Sequence, residues 1–218
     1  MILHIQNAIE PATLDAITES LSQELFTDGS QTAGRAAKQV KNNRQLRLQD
    51  DKPAALSMLL KHLQRNVIFK SSTFTKQFVN VMVNQYHTNQ EYGLHIDDAL
   101  MGHVRTDISF TLGLSHIDRY QGGELVIEDT TGERSWKLGL GDLLLYPSHY
   151  LHRVNAVRDG ERLAMVGWIQ SHVRSTEQRE LLFDLKCSMS EEFEQRGKTQ
   201  QYDRLSKSYN NLLRHWAD

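Results

Sequence analysis

The sequence predicts a mainly β protein with helices at both ends. Three features carry that expectation. Short segments between about residues 78 and 170 alternate with period two, glycines separate those segments, and period-3.6 apolar patterns are confined to the flanks. Because no helix is expected between the short strands, they point to antiparallel pairing rather than to a wound parallel sheet.

Near the N-terminus Leu14, Ile17, Leu21 and Leu25 recur at helical spacing behind Pro11, a residue suited to a first turn. From Gly29 to Gln49 the chain is polar and one-sidedly basic, with Arg35, Lys38, Lys41, Arg44 and Arg47 and no acid. That tract reads either as a solvated segment or as a guide for an acidic substrate, with Asn42 and Asn43 adding hydrogen bonds in the second case. Leu56, Leu59, Leu60 and Leu63 then share one face of a second helix, expected over 53–65.

In the strand expected at 78–86, Phe78, Met82 and Tyr86 fall on one phase and Val79, Val81 and Val83 on the other. Over 107–114 the alternation sets Asp107, Ser109, Thr111 and Gly113 against Ile108, Phe110, Leu112 and Leu114. Further strands are expected at 124–128, 142–146 and 162–170, broken by Gly122-Gly123, Thr131-Gly132 and Gly139/Gly141. The Gly122-Gly123 pair suits a tight turn, a structural role.

Beyond about Ser175 the helical period returns. Ser175 with Gln178 and Ser188 with Glu191 each match a capping box. Tyr202, Leu205, Tyr209, Leu212 and Trp216 form an apolar stripe that must cover the sheet or a neighbouring subunit, so a homodimer through these helices is one reading and packing within the chain the simpler one. The chain therefore divides into an N-terminal helical support region (1–75), a β core (76–175) and a C-terminal helical extension (176–218).

At 218 residues the chain can build one substantial core. Its 25 basic and 27 acidic residues nearly cancel, so no overall charge advertises a nucleic-acid partner. The single cysteine, Cys187, cannot form an internal disulfide. With no secretory signal and no stretch long enough to cross a bilayer, the expected setting is cytoplasmic and not a membrane.

His95-Ile96-Asp97 is the first candidate for chemistry. In an extended segment, residues two apart project to one face and bring an imidazole and a carboxylate to one point. Two histidines and one carboxylate on one face of a metal leave three positions open, the arrangement suited to non-haem Fe(II) and O2. A third ligand is needed. The buried-strand run Leu143-Leu144-Leu145-Tyr146, closed by Pro147-Ser148, delivers both His149 and His152, and either imidazole is competent. Leu151 and Val154 bracket His152 with apolar neighbours. Arg162 opens the apolar run 163–169, where a charge is either exposed, paired with a nearby acid, or placed to grip a carboxylate in two-pronged fashion.

The blocks Tyr92-Gly93-Leu94-His95-Ile96-Asp97, Arg105-Thr106-Asp107-Ile108-Ser109-Phe110-Thr111-Leu112, Tyr120-Gln121-Gly122-Gly123-Glu124-Leu125, Leu145-Tyr146-Pro147-Ser148 with Leu151-His152-Arg153-Val154, and Gly160-Glu161-Arg162 together resemble the PKHD-type hydroxylases. These are prolyl-4-hydroxylase-like Fe(II)/2-oxoglutarate dioxygenases. The resemblance is continuous over roughly 75–185. It implies a double-stranded β-helix (jelly-roll) core, His95, Asp97 and His152 as iron ligands, and Arg162, ten positions after the distal histidine, on the far carboxylate of 2-oxoglutarate. That spacing favours His152 over His149. Tyr86 and Tyr92 would contribute pocket contacts to the co-substrate, while the aromatic that some relatives carry on the next strand has no clean match, Ser109 or Thr111 standing there.

The implied cofactors are Fe(II), 2-oxoglutarate as co-substrate and L-ascorbate to keep the iron reduced. The implied reaction consumes O2, decarboxylates 2-oxoglutarate to succinate and hydroxylates an unidentified peptide, amino acid or small metabolite. Two other classes share the ligand set: a jelly-roll enzyme such as a cupin-like isomerase or zinc hydrolase, and a metal-dependent sensor or binding protein without hydroxylase activity. Neither needs Arg162. Asp98 alternates away from the metal motif, and His87, His103, His116 and His172 read as surface or structural residues.

Overall fold

Alternation along the central strands sorts their side chains into two cores, one against helices and one against a second sheet. The computed structural model describes residues 1–19, 26–32, 34, 37–47 and 54–218. In chain order the strands are β1 (Leu3–Ile5), β2 (Thr27–Asp28), β3 (Lys41–Asn42), β4 (Arg44–Arg47), β5 (Thr75–Tyr86), β6 (Glu91–His95), β7 (Leu100–Met101), β8 (Val104–Arg105), β9 (Ile108–Gly113), β10 (Tyr120–Gly122), β11 (Leu125–Asp129), β12 (Gly132–Trp136), β13 (Leu143–Pro147), β14 (Leu151–Val154), β15 (Val157–Gly160) and β16 (Arg162–Ser171). The helices are α1 (Pro11–Glu19), α2 (Ala54–Arg65), α3 (Val67–Thr73), α4 (Thr176–Arg196) and α5 (Gln200–Trp216).

Among the described residues one sheet runs β1-β13-β9-β16-β5-β4-β2 and a second runs β12-β11-β14-β6-β3, with every pairing antiparallel. This is the mainly β, jelly-roll arrangement the sequence predicts. Phe110 and Leu112 of β9, Leu143 and Leu145 of β13 and Met165 of β16 face outward, where Leu14 of α1 and Leu56, Leu59 and Leu63 of α2 cover them. Each fully buried leucine of that layer contributes about 1.5–3 kcal/mol. The intervening side chains Leu144 and Tyr146, with Tyr86 of β5, meet Leu125, Ile127 and Val154 of the second sheet. That inter-sheet layer is where the polar pocket opens.

Two expectations need correction. Phe78 does not share a face with Met82 and Tyr86: it packs in the helix-covered core, stacked with Phe69, while Tyr86 lies between the sheets. Asn80, at φ 45°, and a register shift against β16 introduce a bulge that inverts the phase halfway along β5. Ser188 caps nothing, because it lies inside α4 and donates to the Asp184 carbonyl. The break comes at Gly197, φ 72°, and Thr199 caps α5 by accepting from the Tyr202 amide. Ser175 does cap α4, accepting from the Gln178 amide.

The apolar stripe of α5 is half-buried and lies along α4, with Tyr202 against Phe193 and Lys186 over Tyr209. Leu21 and Leu25 of the first expected helix, Pro53 at the start of the second, and Arg35 and Gln49 of the basic tract lie outside the described residues.

Gly113, at the end of β9, allows the closest backbone approach in the central sheet. A Cβ there would stand 2.0 Å from the Gly139 carbonyl oxygen, and backbone cannot step aside as a side-chain tip can. Gly113→Ala should lower the unfolding free energy by about 1–3 kcal/mol or more in a urea titration.

Candidate metal centre

The centre is assembled by strand register. In the second sheet β14 lies between β11 and β6, and His152 stands directly across from His95. The two imidazole centroids are 4.2 Å apart. Asp97, two residues beyond His95, brings its Oδ1 to 3.7 Å from His152 Nε2, and the candidate ligand atoms of His95, Asp97 and His152 all fall within 4.8 Å of one another. His149, the alternative third ligand, is exposed, sits against Tyr150 and is not part of this group.

Each donor is fixed by a second contact. His95 Nδ1 lies 2.8 Å from the Gly93 carbonyl and His152 Nδ1 3.0 Å from the Tyr150 carbonyl, in both cases the residue two positions earlier. With Nδ1–H donated to backbone, both rings carry their lone pair on Nε2, facing the centre. Burial first, and then the neighbouring His152 imidazole, hold the His95 pKa down to about 4, so that ring is neutral at neutral pH. Tyr92 stacks on it at 3.6 Å between centroids, and Lys41 lies over the other partner of the stack, 5.1 Å from the Tyr92 ring.

Asp97 is anchored from the opposite sheet. Ser109 of β9 donates to Asp97 Oδ2 at 2.6 Å, and the Ser148 hydroxyl lies 2.9 Å from Ser109 Oγ. Ser109 therefore serves the carboxylate, and Thr111 turns its hydroxyl toward Tyr146, whose ring packs edge-on to His152. Burial pushes the Tyr146 phenol well up, keeping it protonated. Asp98 is exposed and lies outside the group, as its alternating direction predicts.

Two nitrogens and one carboxylate oxygen, each held by an outer hydrogen bond, fit a first-row divalent metal with open positions. Among the described residues no other cluster of this kind occurs.

Arg162 is neither exposed nor paired with an acid among the described residues. It is 3% exposed, its guanidinium lies 5.2 Å from the Tyr86 ring, and it is within hydrogen-bonding reach of the Tyr120 hydroxyl. Among the described residues no carboxylate pairs with it: neighbouring Glu161 lies 3.4 Å from His87 instead. A buried guanidinium without a counter-anion is costly, and a ligand carboxylate would offset that cost. Gly123 makes room for it, since a Cβ at that position, φ 67°, would stand 2.8 Å from Arg162 Cδ. The glycine pair thus does more than turn the chain, and sequence alone carried no sign of this.

Centre and guanidinium open into one cavity of about 650 Å³, lined also by Tyr86, Tyr92, Lys41, Asn84 and Trp168. Its volume fits a small co-substrate and part of a second molecule. The basic tract is not simply solvated: Lys41 is buried, while Lys38 is exposed and Arg44 donates to the Phe26 carbonyl.

Comparison with known proteins places these features in one group. Residues 81–170 match the model of the 2OG-Fe(II) oxygenase superfamily, and 177–218 match the PKHD-type hydroxylase C-terminal domain. The chain is 53% identical to a PKHD-type hydroxylase of Idiomarina loihiensis and 44% identical to one of Crocosphaera subtropica, each match covering 100% of both chains. Among solved structures it is similar to a Pseudomonas putida prolyl-4-hydroxylase (TM-score 0.62, 15% identity, 78% of this chain and 92% of that one). It is also similar to a Trichoplax adhaerens prolyl hydroxylase solved with a peptide fragment of hypoxia inducible factor (TM-score 0.59, 14% identity, 83% and 86%).

Replacing His95, Asp97 or His152 with alanine should abolish tight Mn(II) or Fe(II) binding in an anaerobic titration, while His149→Ala retains it. Ser109→Ala should weaken metal binding by about tenfold or more through loss of carboxylate orientation.

Proposed function

The chain belongs to the PKHD-type hydroxylases, 2-oxoglutarate-dependent dioxygenases of the 2OG-Fe(II) oxygenase superfamily, and from that premise we propose that His95, Asp97 and His152 hold Fe(II) while Arg162 binds the distal carboxylate of 2-oxoglutarate. The observation that carries the reading is the buried, carboxylate-free guanidinium of Arg162 in the same cavity as the three converging ligands. A cupin-like enzyme or a metal sensor needs only the ligands.

When bound, Fe(II) and 2-oxoglutarate would supply O2 activation, with one oxygen atom going to a substrate C–H bond as hydroxyl and the other to succinate as CO2 leaves. The residues supply placement. Ser109 keeps Asp97 oriented, the two backbone carbonyls keep both Nε2 atoms on the metal side, and Tyr92 limits rotation of His95. Tyr86 stays protonated because burial raises its pKa, so it remains a hydrogen-bond donor beside Arg162. Tyr92, read from sequence as a co-substrate contact, is better assigned to this stack. Ascorbate as reductant for the iron, and a cytoplasmic setting suited to the exposed free thiol of Cys187, complete the proposal. No helix among the described residues is long and apolar enough to cross a membrane.

Anaerobic addition of Fe(II) and 2-oxoglutarate, followed by admission of oxygen, should yield succinate. Arg162→Ala should weaken 2-oxoglutarate binding by about a hundredfold, the scale of a lost charge-assisted pair, while leaving metal affinity within about twofold. Equal losses of both would instead mark Arg162 as structural.

A further inference from the structure

Asn84 of β5 stands in the cavity wall with its side-chain amide unmet by the protein. It is 5% exposed and shares the cavity-lining face of its strand with Met82 and Tyr86. Its Oδ1 is buried with no hydrogen-bond partner among the described residues, and its Nδ2 meets none there either. The strands on each side offer it nothing. Across on β16 is Ala164, which has no polar side-chain atom, and across on β4 is Gln45, whose amide meets the Met82 sulfur and the Lys41 ammonium. Buried amides in folded chains are almost always hydrogen-bonded, so an unmet one in a cavity wall points to a ligand.

The amide also says what kind of ligand. A carboxamide presents an acceptor and donors side by side, and a turn about its last torsion exchanges oxygen and nitrogen without changing that offer. Its complement is an edge with an N–H beside a C=O, as in another amide. A carboxylate has no donor for Oδ1. The cations of the wall are engaged elsewhere: Arg162 lies at the co-substrate end, and Lys41 donates to Gln45 Oε1 at 3.2 Å and lies over the Tyr92 ring. Around the entrance the lining turns apolar, with Val40, Leu94, Ile96 and Leu151 between 40% and 54% exposed. A ligand suited to this shape keeps an apolar portion at the rim.

We propose that Asn84 selects the prime substrate through its amide, so that the molecule hydroxylated carries an uncharged amide with an apolar group beside it. The inference rests on the 2-oxoglutarate oxygenase reading of the site. The amide belongs either to a small molecule or to a peptide backbone, and the two arms of the test separate these sources.

The protein is loaded anaerobically with Mn(II) and saturating 2-oxoglutarate, and probe binding is followed by the relaxation that Mn(II) induces in the probe's protons. One arm compares isocaproamide with isocaproate and methyl isocaproate; the other compares end-blocked trileucine with an analogue that has ester linkages in place of its peptide bonds. In one arm the amide should bind about tenfold tighter than its ester, the effect of one hydrogen bond to a group otherwise left unmet. Isocaproate should bind no better than the ester. Asn84→Leu, close to asparagine in shape, should erase the amide preference while Mn(II) and 2-oxoglutarate affinities move less than about twofold. Asn84→Ala gives the same comparison if the leucine variant does not fold. The proposal is overturned if esters bind as well as amides in both arms, if the acid is preferred, if no amide binds, if the preference survives in the Asn84 variants, or if those variants weaken 2-oxoglutarate itself. Failure of the wild-type protein to bind 2-oxoglutarate would sink the oxygenase reading instead, which the loading step detects separately.

Discussion

The site depends on the register of β14 between β11 and β6. His152 pairs with Ile127 on one side and His95 on the other. Side chains alternate with period two, so a slip of one residue would turn His152 to the opposite face and put Arg153 or Leu151 in its place. Both neighbours resist that slip. Leu151 is exposed, and Arg153 forms a two-pronged pair with Glu133 on the outer surface. Exchanging either for His152 would cost the inter-sheet layer in which Ile127 and Val154 are buried.

Given that register, the polar residues around the centre share one face of the seven-stranded sheet. Phe110, Leu112, Leu143 and Leu145 give their outward face an apolar layer under the helices. The inward face carries Ser109, Thr111, Asn84 and Arg162, all buried. Such a face is poor at stabilising the fold by itself, and the outward layer offsets the deficit. The two roles are separated by a single pleat: on β9, Ser109 holds the Asp97 carboxylate while Phe110 packs against Phe78.

Much of this was legible in the sequence where strong alternation or helical spacing survives. Strands β9, β13 and β16 and helix α2 follow their patterns, and the His95, Asp97 and His152 set that the family resemblance implies converges. The bulge at Asn80 was not legible, because asparagine at positive φ leaves no mark on a valine-rich run that alternates on both sides of it. Strands β2, β3 and β4 were hidden for another reason. They are two to four residues long and polar, and Lys41 looks like any residue of a basic tract until β3 pairs with β6 and turns it inward. Arg162 was ambiguous because acids lie nearby in sequence. Only the fold shows Glu161 turned to His87 and the guanidinium left beside Tyr86. Ser188 misled because a capping pattern needs a chain break ahead of it, and the break falls at Gly197.

The most direct test of the centre is an anaerobic crystal structure of the protein with Mn(II) and 2-oxoglutarate, with the metal located by anomalous scattering. The expected result is one peak bonded to His95 Nε2, an Asp97 oxygen and His152 Nε2, with the co-substrate running from that metal to a two-pronged contact on Arg162. A metal held by His149 or Asp98, or an Arg162 that stays unengaged while 2-oxoglutarate binds elsewhere, would contradict it.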